Sequence, residues 1–421
     1  MRISTHFQAF LNPAHNQRSA RACLGAAAFL AIIFLAPALP AQQLNQLAYF
    51  NGPNGNNPGG KLAMDAAGNI YGTTFYGGRY GDFGPGTVYK LTHNSSGWVL
   101  TSLYDFSGYG DGQNPWGGIT FGPDGALYGT TYGGGLYGWG VVFKLQPEPT
   151  RCTTALCYWR ETVLYNFTGG SDGSSPQGAV IFDSAGNLYG STLNGGQGNG
   201  VVYELSPAQG SWNMNVLYRF KGGSDGQGPE DGVVMDRFGN LFGTTFLGGT
   251  NDVGTAYELT PGASGWTERV LHSFAGGDDG KYPTVPVVDP SGNVFGATSE
   301  DGANGDGTVF ELQRTGGSFS YSIIYQFNSL AGPPCDAECG LTLDSAGNLY
   351  SDGYGGSNGG GTIFELSPSS GSWNLTVLWD LTEQQGLYPG NRPIFDAQGN
   401  LYGTTEYGGR GNDGNVWQLT P

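Results

Sequence analysis

Short runs of apolar and aromatic residues, separated by glycine-rich segments, recur along the chain from residue 44 onward. In the segment 177–220, GAVIFD is a short apolar run, whereas LYGST, VVYEL and WNMNVLYRF alternate between apolar and polar or small residues. Both patterns predict β-strands when turn residues bound them. The segment therefore predicts four strands, connected by SAGN, NGGQGNG and SPAQGS.

This four-strand segment recurs seven times, and its most regular part is D-x-x-G-N followed by an apolar residue and an aromatic residue. Successive copies begin 57, 61, 53, 53, 55 and 52 residues apart, at Asp65, Gly122, Asp183, Asp236, Asp289, Asp344 and Asp396. A period near fifty with strand content is typical of propeller blades. We predict an all-β fold, a seven-bladed β-propeller of four-stranded antiparallel blades that forms one domain over residues 42–421. The predicted blades are about 59–106, 117–167, 177–220, 231–274, 284–327, 339–381 and 390–421 plus 44–50.

The two ends of the chain are complementary. LNQLAYF at 44–50 resembles a fourth strand without its hairpin, and the chain ends at Pro421, just after a third strand at 415–419. Pairing of these two segments would complete the last blade and leave no open sheet edge. Aromatic residues occur in the second and third strands of every repeat, and we interpret them as packing between neighbouring blades rather than as a ligand ladder.

The first 41 residues have a different pattern. Arg2, Arg18 and Arg21 precede an apolar run from Leu24 to Leu39, and small residues follow up to Ala41. This is typical of a Sec signal peptide, so we predict a secreted protein, extracellular or periplasmic, without membrane insertion after cleavage. An uncleaved anchor is the alternative, but a bilayer span needs about 20 apolar residues.

Cysteine content and charge narrow the function classes. Export favours disulfides, and the positions of Cys152, Cys157, Cys335 and Cys339 favour two local pairs over a metal site built from four thiolates. The net charge of −17 disfavours nucleic acid and anionic membranes as partners. We expect a monomer whose partner is a glycan or a cell-envelope protein.

Strand alternation assigns the connections to two faces. The turn face carries the D-x-x-G-N turns and the hairpins between third and fourth strands, and the loop face carries the connections after second and fourth strands. Four loop-face segments match F-x-G-x-x-D-G-x-x-P. Their carboxylates could bind Ca²⁺ or another polar ligand, or could simply form Asp-Gly turns. These are Asp111, Asp172, Asp225 and Asp279.

Loop-face aromatics are concentrated in the first two blades, where they could bind a sugar or an apolar partner or could pack on one another. The candidates are Tyr76, Tyr80, Tyr109, Trp116, Tyr137 and Trp139. His93 and His272 are too far apart in the predicted fold for a catalytic dyad, and we expect no metal or cofactor other than Ca²⁺. Our hypothesis is a non-enzymatic binding protein. The alternatives are a structural envelope protein and a polysaccharide hydrolase or lyase that uses loop carboxylates, with candidates at Asp301, Asp306, Asp352 and Glu406.

Two motifs carry a family resemblance. GNLYGTT at 399–405 and GTVFEL at 307–312 resemble the GloVer (Gloeo/Verruco) tandem-repeat proteins of bacteria, and the similarity extends over the whole chain after the leader. It implies a secreted or surface-associated protein, and it implies no established activity or catalytic residues. The sixth repeat departs from the pattern, with Ser351-Asp352-Gly353 in place of GTT.

Overall fold

The computed structural model describes residues 42–148, 159–229, 231–328, 340–390 and 392–421. The predicted signal peptide at residues 1–41 lies outside these ranges, as do Cys152, Cys157, Cys335 and Cys339. No helix within these ranges combines the length and the hydropathy that a membrane crossing needs.

The described residues form 29 strands in seven antiparallel sheets, which are the blades of a ring. Blade 1 contains β2 (Asn56–Met64), β3 (Ile70–Tyr76), β4 (Thr87–Asn94) and β5 (Gly97–Asp105). Blade 2 contains β6 (Thr120–Phe121), β7 (Leu127–Thr131), β8 (Val141–Pro147) and β9 (Trp159–Asn166). Blade 3 contains β10 (Ile181–Phe182), β11 (Leu188–Thr192), β12 (Val201–Ala208) and β13 (Ser211–Arg219). Blade 4 contains β14 (Val234–Met235), β15 (Leu241–Thr245), β16 (Thr255–Gly262) and β17 (Gly265–Ser273).

Blade 5 contains β19 (Val287–Val288), β20 (Val294–Glu300), β21 (Thr308–Thr315) and β22 (Ser318–Gln326), with the short β18 (Lys281–Pro283) also paired to β20. Blade 6 contains β23 (Thr342–Leu343), β24 (Leu349–Gly353), β25 (Gly359–Ser369) and β26 (Ser372–Thr382). Blade 7 contains β27 (Ile394–Phe395), β28 (Leu401–Thr405), β29 (Asn415–Thr420) and β1 (Gln43–Tyr49). Two single 3-10 turns, Gly223–Asp225 and Gly277–Asp279, complete the described secondary structure.

The N-terminal strand closes the ring. β1 pairs antiparallel with β29, in a register that runs from Gln43 opposite Thr420 to Tyr49 opposite Asn415. The sheet order β1-β29-β28-β27 therefore places the N-terminal strand where each other blade has its fourth strand. The predicted fold, seven four-stranded blades joined at the two ends of the chain, is confirmed.

The innermost strands are shorter than the sequence predicts. GAVIFD (178–183) reads as one strand, but only Ile181–Phe182 pairs with β11. Upstream of this pair the chain turns toward the next blade, and Ala179 bridges Gly232 in parallel. Because the inner strands converge on one axis, their backbones contact each other there, and in blades 2, 3, 4, 6 and 7 the innermost strand is reduced to two paired residues. Blade 1 differs, because β2 extends over nine residues.

The core lies between blades rather than within them. In blade 3 the third-strand Tyr203 is fully buried, and its ring meets Phe167 of blade 2 edge-on, with centroids 5.3 Å apart. The second-strand Tyr128 of blade 2 packs in the same way on Trp212 of blade 3. Equivalent edge-on pairs join the other blades, at Phe50–Tyr89, Phe106–Phe143, Phe220–Tyr257, Phe274–Phe310 and Phe327–Phe364. Aromatic rings favour this geometry, and it explains the aromatic periodicity of the sequence.

The D-x-x-G-N turns are held by their own aspartate. Asp183 accepts hydrogen bonds from the backbone N–H groups of Ala185 and Asn187, from the Asn187 amide and from the Tyr189 hydroxyl, at 2.8–3.0 Å. Gly186 takes a φ of +86°, which few other residues adopt. The turns therefore need no ligand, and their Asp residues are used by the fold.

Candidate functional site

On the loop face of blades 1 to 3, backbone hydrogen bonds join neighbouring loops. The Asn114 N–H donates to the Pro85 carbonyl at 2.7 Å, and the Gly135 N–H donates to the Tyr109 carbonyl at 2.7 Å. Farther around the ring, the Ser175 N–H donates to the Trp139 carbonyl at 2.9 Å. These bonds fix the loops of blades 1 and 2 relative to one another and to blade 3.

The four Asp-Gly loops use their carboxylates internally. Asp111 accepts from the Ser107 backbone N–H at 2.8 Å and from the Tyr104 hydroxyl at 2.9 Å. Asp172, Asp225 and Asp279 repeat this arrangement with Tyr165, Tyr218 and His272 as side-chain partners. The four carboxylates lie in four different loops, and none is among the residues that line the central cavity.

Burial and hydrogen bonding oppose each other at Asp172. Burial works against its charge, but hydrogen bonds from the Thr168 hydroxyl, the Thr168 backbone N–H and the Tyr165 hydroxyl outweigh burial and hold the pKa of Asp172 below its usual value. Asp279 behaves similarly: burial raises the pKa of its carboxyl, but bonds from His272 and others lower it further. Both carboxylates are therefore anions whose hydrogen bonds are already supplied by neighbouring groups of the protein.

Two outer-strand glutamates lie behind these loops. Burial, together with the charge of Asp111, raises the pKa of Glu161 to about 8. Burial and the charge of Asp225 raise the pKa of Glu268 to about 7. One carboxyl oxygen of each glutamate is buried without a hydrogen-bond partner among the described residues. In both cases the aspartate lies in the loop after one blade and the glutamate lies in the fourth strand of the next blade. The effect of each aspartate on the glutamate pKa therefore depends on how the blades pack.

The exposed loop-face aromatics of blades 1 and 2 lie in three neighbouring loops, which we call the aromatic loops (residues 76–83, 107–114 and 132–140). Phe83, Tyr109 and Leu136 are 88%, 80% and 71% exposed, and Tyr80, Tyr137 and Trp139 are about half exposed. Tyr76 is half-buried between Phe75 and Phe83. The structure thus places five predicted residues in the aromatic loops: Tyr76, Tyr80, Tyr109, Tyr137 and Trp139.

The sixth candidate, Trp116, has a different position. Its ring lies against the backbone of Gly59, meets Phe75 edge-on at 5.0 Å, and lines the central cavity. Trp116 therefore stands between the aromatic loops and the channel.

Two further groups of loop-face aromatic residues are not among the binding residues predicted from the sequence. Tyr388 packs edge-on against Tyr354 and Tyr407, and Phe246 stacks on Tyr282 with centroids 4.5 Å apart. A repeat alignment carries the signal for two of these residues, because Phe246 directly follows its G-T-T segment and Tyr407 follows one residue later.

The central channel holds a cavity of about 310 Å³, which spans the first strands of all seven blades. Its polar lining comes from Lys61, Gln177, Asp231, Thr284 and Arg392, with Trp116 at the loop-face end. A second cavity of about 390 Å³ toward the turn face shares Lys61 and Arg392 with the first. The two basic side chains therefore stand between the cavities.

The channel groups Lys61, Asp231 and Arg392 are partly buried within the ring. Burial, and then the charge of Arg392, lowers the pKa of Lys61 to about 8. Burial also lowers the pKa of Arg392 to about 10 and raises the pKa of Asp231 to about 6, although the Val285 backbone N–H donates to the Asp231 carboxylate. Perturbed pKa values in a concave site are typical of functional sites.

The channel residues are not among those predicted from the sequence, although the repeat pattern contains a signal for them. Lys61 and Arg392 each stand four residues before the turn position of their repeat. The other five repeats have small or short side chains there, at Gly118, Ala179, Gly232, Val285 and Gly340.

The loop acids that a hydrolase or lyase would use lie in three blades. Asp301 of blade 5 forms an ion pair with Lys281, and Asp352 of blade 6 is fully buried in β24. Asp306 bridges Asp301 in the same blade. Glu406 of blade 7 is buried beside Asn57, and burial raises the pKa of its carboxyl to about 7. Among the described residues, no three His, Cys, Asp or Glu side chains converge as a metal site.

Comparison with known proteins finds similarity to one family model and to several solved structures. A family model described as the Gloeobacter/Verrucomicrobia repeat matches residues 35–159 and 156–351. No curated protein sequence matches the chain.

Several solved structures share the fold at low identity. An ulvan lyase of a new polysaccharide lyase family has a TM-score of 0.55 at 10% identity, covering 89% of this chain and 95% of that chain. The extracellular domain of a one-component system from B. thetaiotaomicron has a TM-score of 0.52 at 14% identity, covering 89% of this chain and 42% of that chain. At such identities the likeness shows the propeller fold alone.

Proposed function

The chain belongs to the Gloeobacter/Verrucomicrobia repeat family, and from that premise we propose that it is a secreted, non-enzymatic binding protein that holds a saccharide or a cell-envelope component on its loop face. One observation carries the proposal: the exposed aromatic loops of blades 1 and 2. Clustered exposed aromatics are unusual on a monomeric surface and mark interaction sites.

The aromatic loops have the physical properties of a binding platform. Flat rings offer stacking surface to a sugar ring or an apolar partner. The interloop hydrogen bonds at Pro85 and Tyr109 hold the platform in place before a ligand arrives, which reduces the entropy lost on binding. The loops are also next to the channel through Trp116, so one ligand could contact both.

Secretion is supported by the leader pattern of residues 1–41. A protein of similar fold is an extracellular domain, which is consistent with this placement. We propose that the leader is removed and that the four remaining cysteines form two local disulfides. Intact-mass measurement of exported protein, with and without a reductant, tests both statements.

Binding is tested by titrating the purified protein with a saccharide panel and comparing variants. Trp139→Ala and Tyr109→Ala should each weaken saccharide binding by about tenfold, because each removes a stacking surface. Phe238→Ala is the matched control, since Phe238 is an exposed aromatic on the turn face. Equal binding by all three variants and the wild type would contradict the assignment.

The alternative is a polysaccharide hydrolase or lyase, and Glu406 is the observation that favours it. A buried carboxyl with a pKa raised to about 7 could act as a general acid or base near neutral pH. Incubation with the same polysaccharides, followed by assays for new reducing ends and for unsaturated products, separates the two functions. Products that disappear in Glu406→Gln would support the enzyme.

A further inference from the structure

The channel contains two cations, Lys61 and Arg392, that no acidic side chain among the described residues pairs with. The Arg392 guanidinium donates to the backbone carbonyls of Leu341 and Pro286, at 2.7 and 3.3 Å. Neither Arg392 nor Lys61 takes part in any ion pair among the described residues. Asp231 lines the same cavity, but it belongs to blade 4, across the ring from blades 1 and 7, and it accepts from the Val285 N–H.

This arrangement is unfavourable without a ligand. Two like charges enclosed by protein repel each other and lose hydration. The lowered pKa of Lys61 reflects both effects, because its causes are burial and the charge of Arg392. An anion seated between the two side chains would relieve both effects.

Space for an anion comes from the neighbouring repeats. At the position of Lys61 and Arg392, the other five blades carry nothing larger than Val285. The cavity of about 310 Å³ lies at the lower end of the range for small-molecule sites. Above the cations, Trp116 supplies an aromatic face, and Gln177 and Thr284 supply an amide and a hydroxyl.

We propose that the channel is an anion-selective subsite that takes a uronate, a sugar unit whose carboxylate sits between Lys61 and Arg392 while its ring lies by Trp116. The inference rests on the saccharide binding proposed above, and it adds the charge of the sugar and the residues that recognise it. Arg and Lys are the side chains that bind carboxylates.

The test is calorimetric titration of the mature protein with D-glucuronate and D-galacturonate, and with glucose and galactose as neutral partners of the same ring shape. We expect both uronates to bind at least about tenfold more tightly than the neutral sugars. Lys61→Met should remove this preference, and Lys61→Arg should keep it. Thermal unfolding of both variants checks that they fold, and Arg392 is left intact because it supports two backbone carbonyls.

The outcomes separate this inference from the proposed function. Equal affinity for uronates and neutral sugars, or an unchanged uronate preference in Lys61→Met, would overturn the channel subsite and leave saccharide binding standing. If neither class of sugar binds, the proposed saccharide binding is wrong, and the channel subsite that rests on it is wrong with it. If inorganic sulfate binds as tightly as the uronates and competes with them, the site recognises a simple anion and the sugar assignment is wrong.

Discussion

Ring closure makes a quantitative prediction at Phe50, which directly follows β1. The side chain is fully buried and meets Tyr89 of blade 1 edge-on at 5.0 Å, and its N–H donates to the Gly414 carbonyl of blade 7 at 3.1 Å. Phe50 thus contacts the first and last blades at once. Truncation of a fully buried phenylalanine to alanine costs about 3–5 kcal/mol. We expect Phe50→Ala to lower the free energy of unfolding by that amount.

The assay is urea unfolding followed by tryptophan fluorescence, with two matched variants. Phe167→Ala changes the same repeat position inside the chain, where the ring meets Tyr203 at 5.3 Å. Phe83→Ala changes an exposed ring and should stay within about 0.5 kcal/mol. If β1 is as integral as an internal strand, Phe50→Ala and Phe167→Ala will have equal effects.

The refuting result is an asymmetry between the two buried positions. Should Phe50→Ala change the unfolding free energy by less than about 1 kcal/mol while Phe167→Ala has the full effect, β1 would contribute little, and the ring would be open in solution. Hydrogen exchange gives an independent check, because amides of β29 should exchange faster in Phe50→Ala if the closing pair is weakened.

Two further predictions concern packing between and within blades. The raised pKa of Glu161 means that the folded protein binds this proton more tightly than the unfolded chain does. The contribution of Glu161 to stability is therefore complete below about pH 4.5 and is lost as pH rises through about 8. Melting temperatures should fall less across this pH window in Glu161→Gln than in the wild type, and parallel curves for the two proteins would contradict the assignment. A methyl group on Gly190 would lie 2.5 Å from the Tyr203 hydroxyl oxygen, so Gly190→Ala should destabilise the protein by about 1–3 kcal/mol in urea unfolding. Gly317→Ala, where nothing lies within 4 Å, is its control, and equal effects would show that β11 moves freely to make room.

Local patterns determined most of the strands. The predicted strand VVYEL (201–205) and the predicted strand WNMNVLYRF (212–220) correspond to Val201–Ala208 and Ser211–Arg219. These strands depend on alternation and on turn residues within a few positions, which a single repeat already contains. The number of blades followed from counting repeats, and closure followed from the complementary ends. By contrast, the innermost strand was predicted too long at 178–183, because its length depends on how closely seven backbones meet at the axis.

The site depended far more on tertiary structure. The sequence indicated aromatic loops in blades 1 and 2, but the backbone hydrogen bonds that fix these loops to one another come from the tertiary structure. The raised pKa of Glu161 comes first from burial and then from the charge of Asp111, which lies in the loop after blade 1, and both depend on how the blades pack. Lys61 and Arg392 share a repeat position, but they lie near opposite ends of the chain, and the sequence of either repeat alone does not pair them. They become neighbours only because β1 completes the last blade, which brings blade 1 beside blade 7 and places both side chains in one channel.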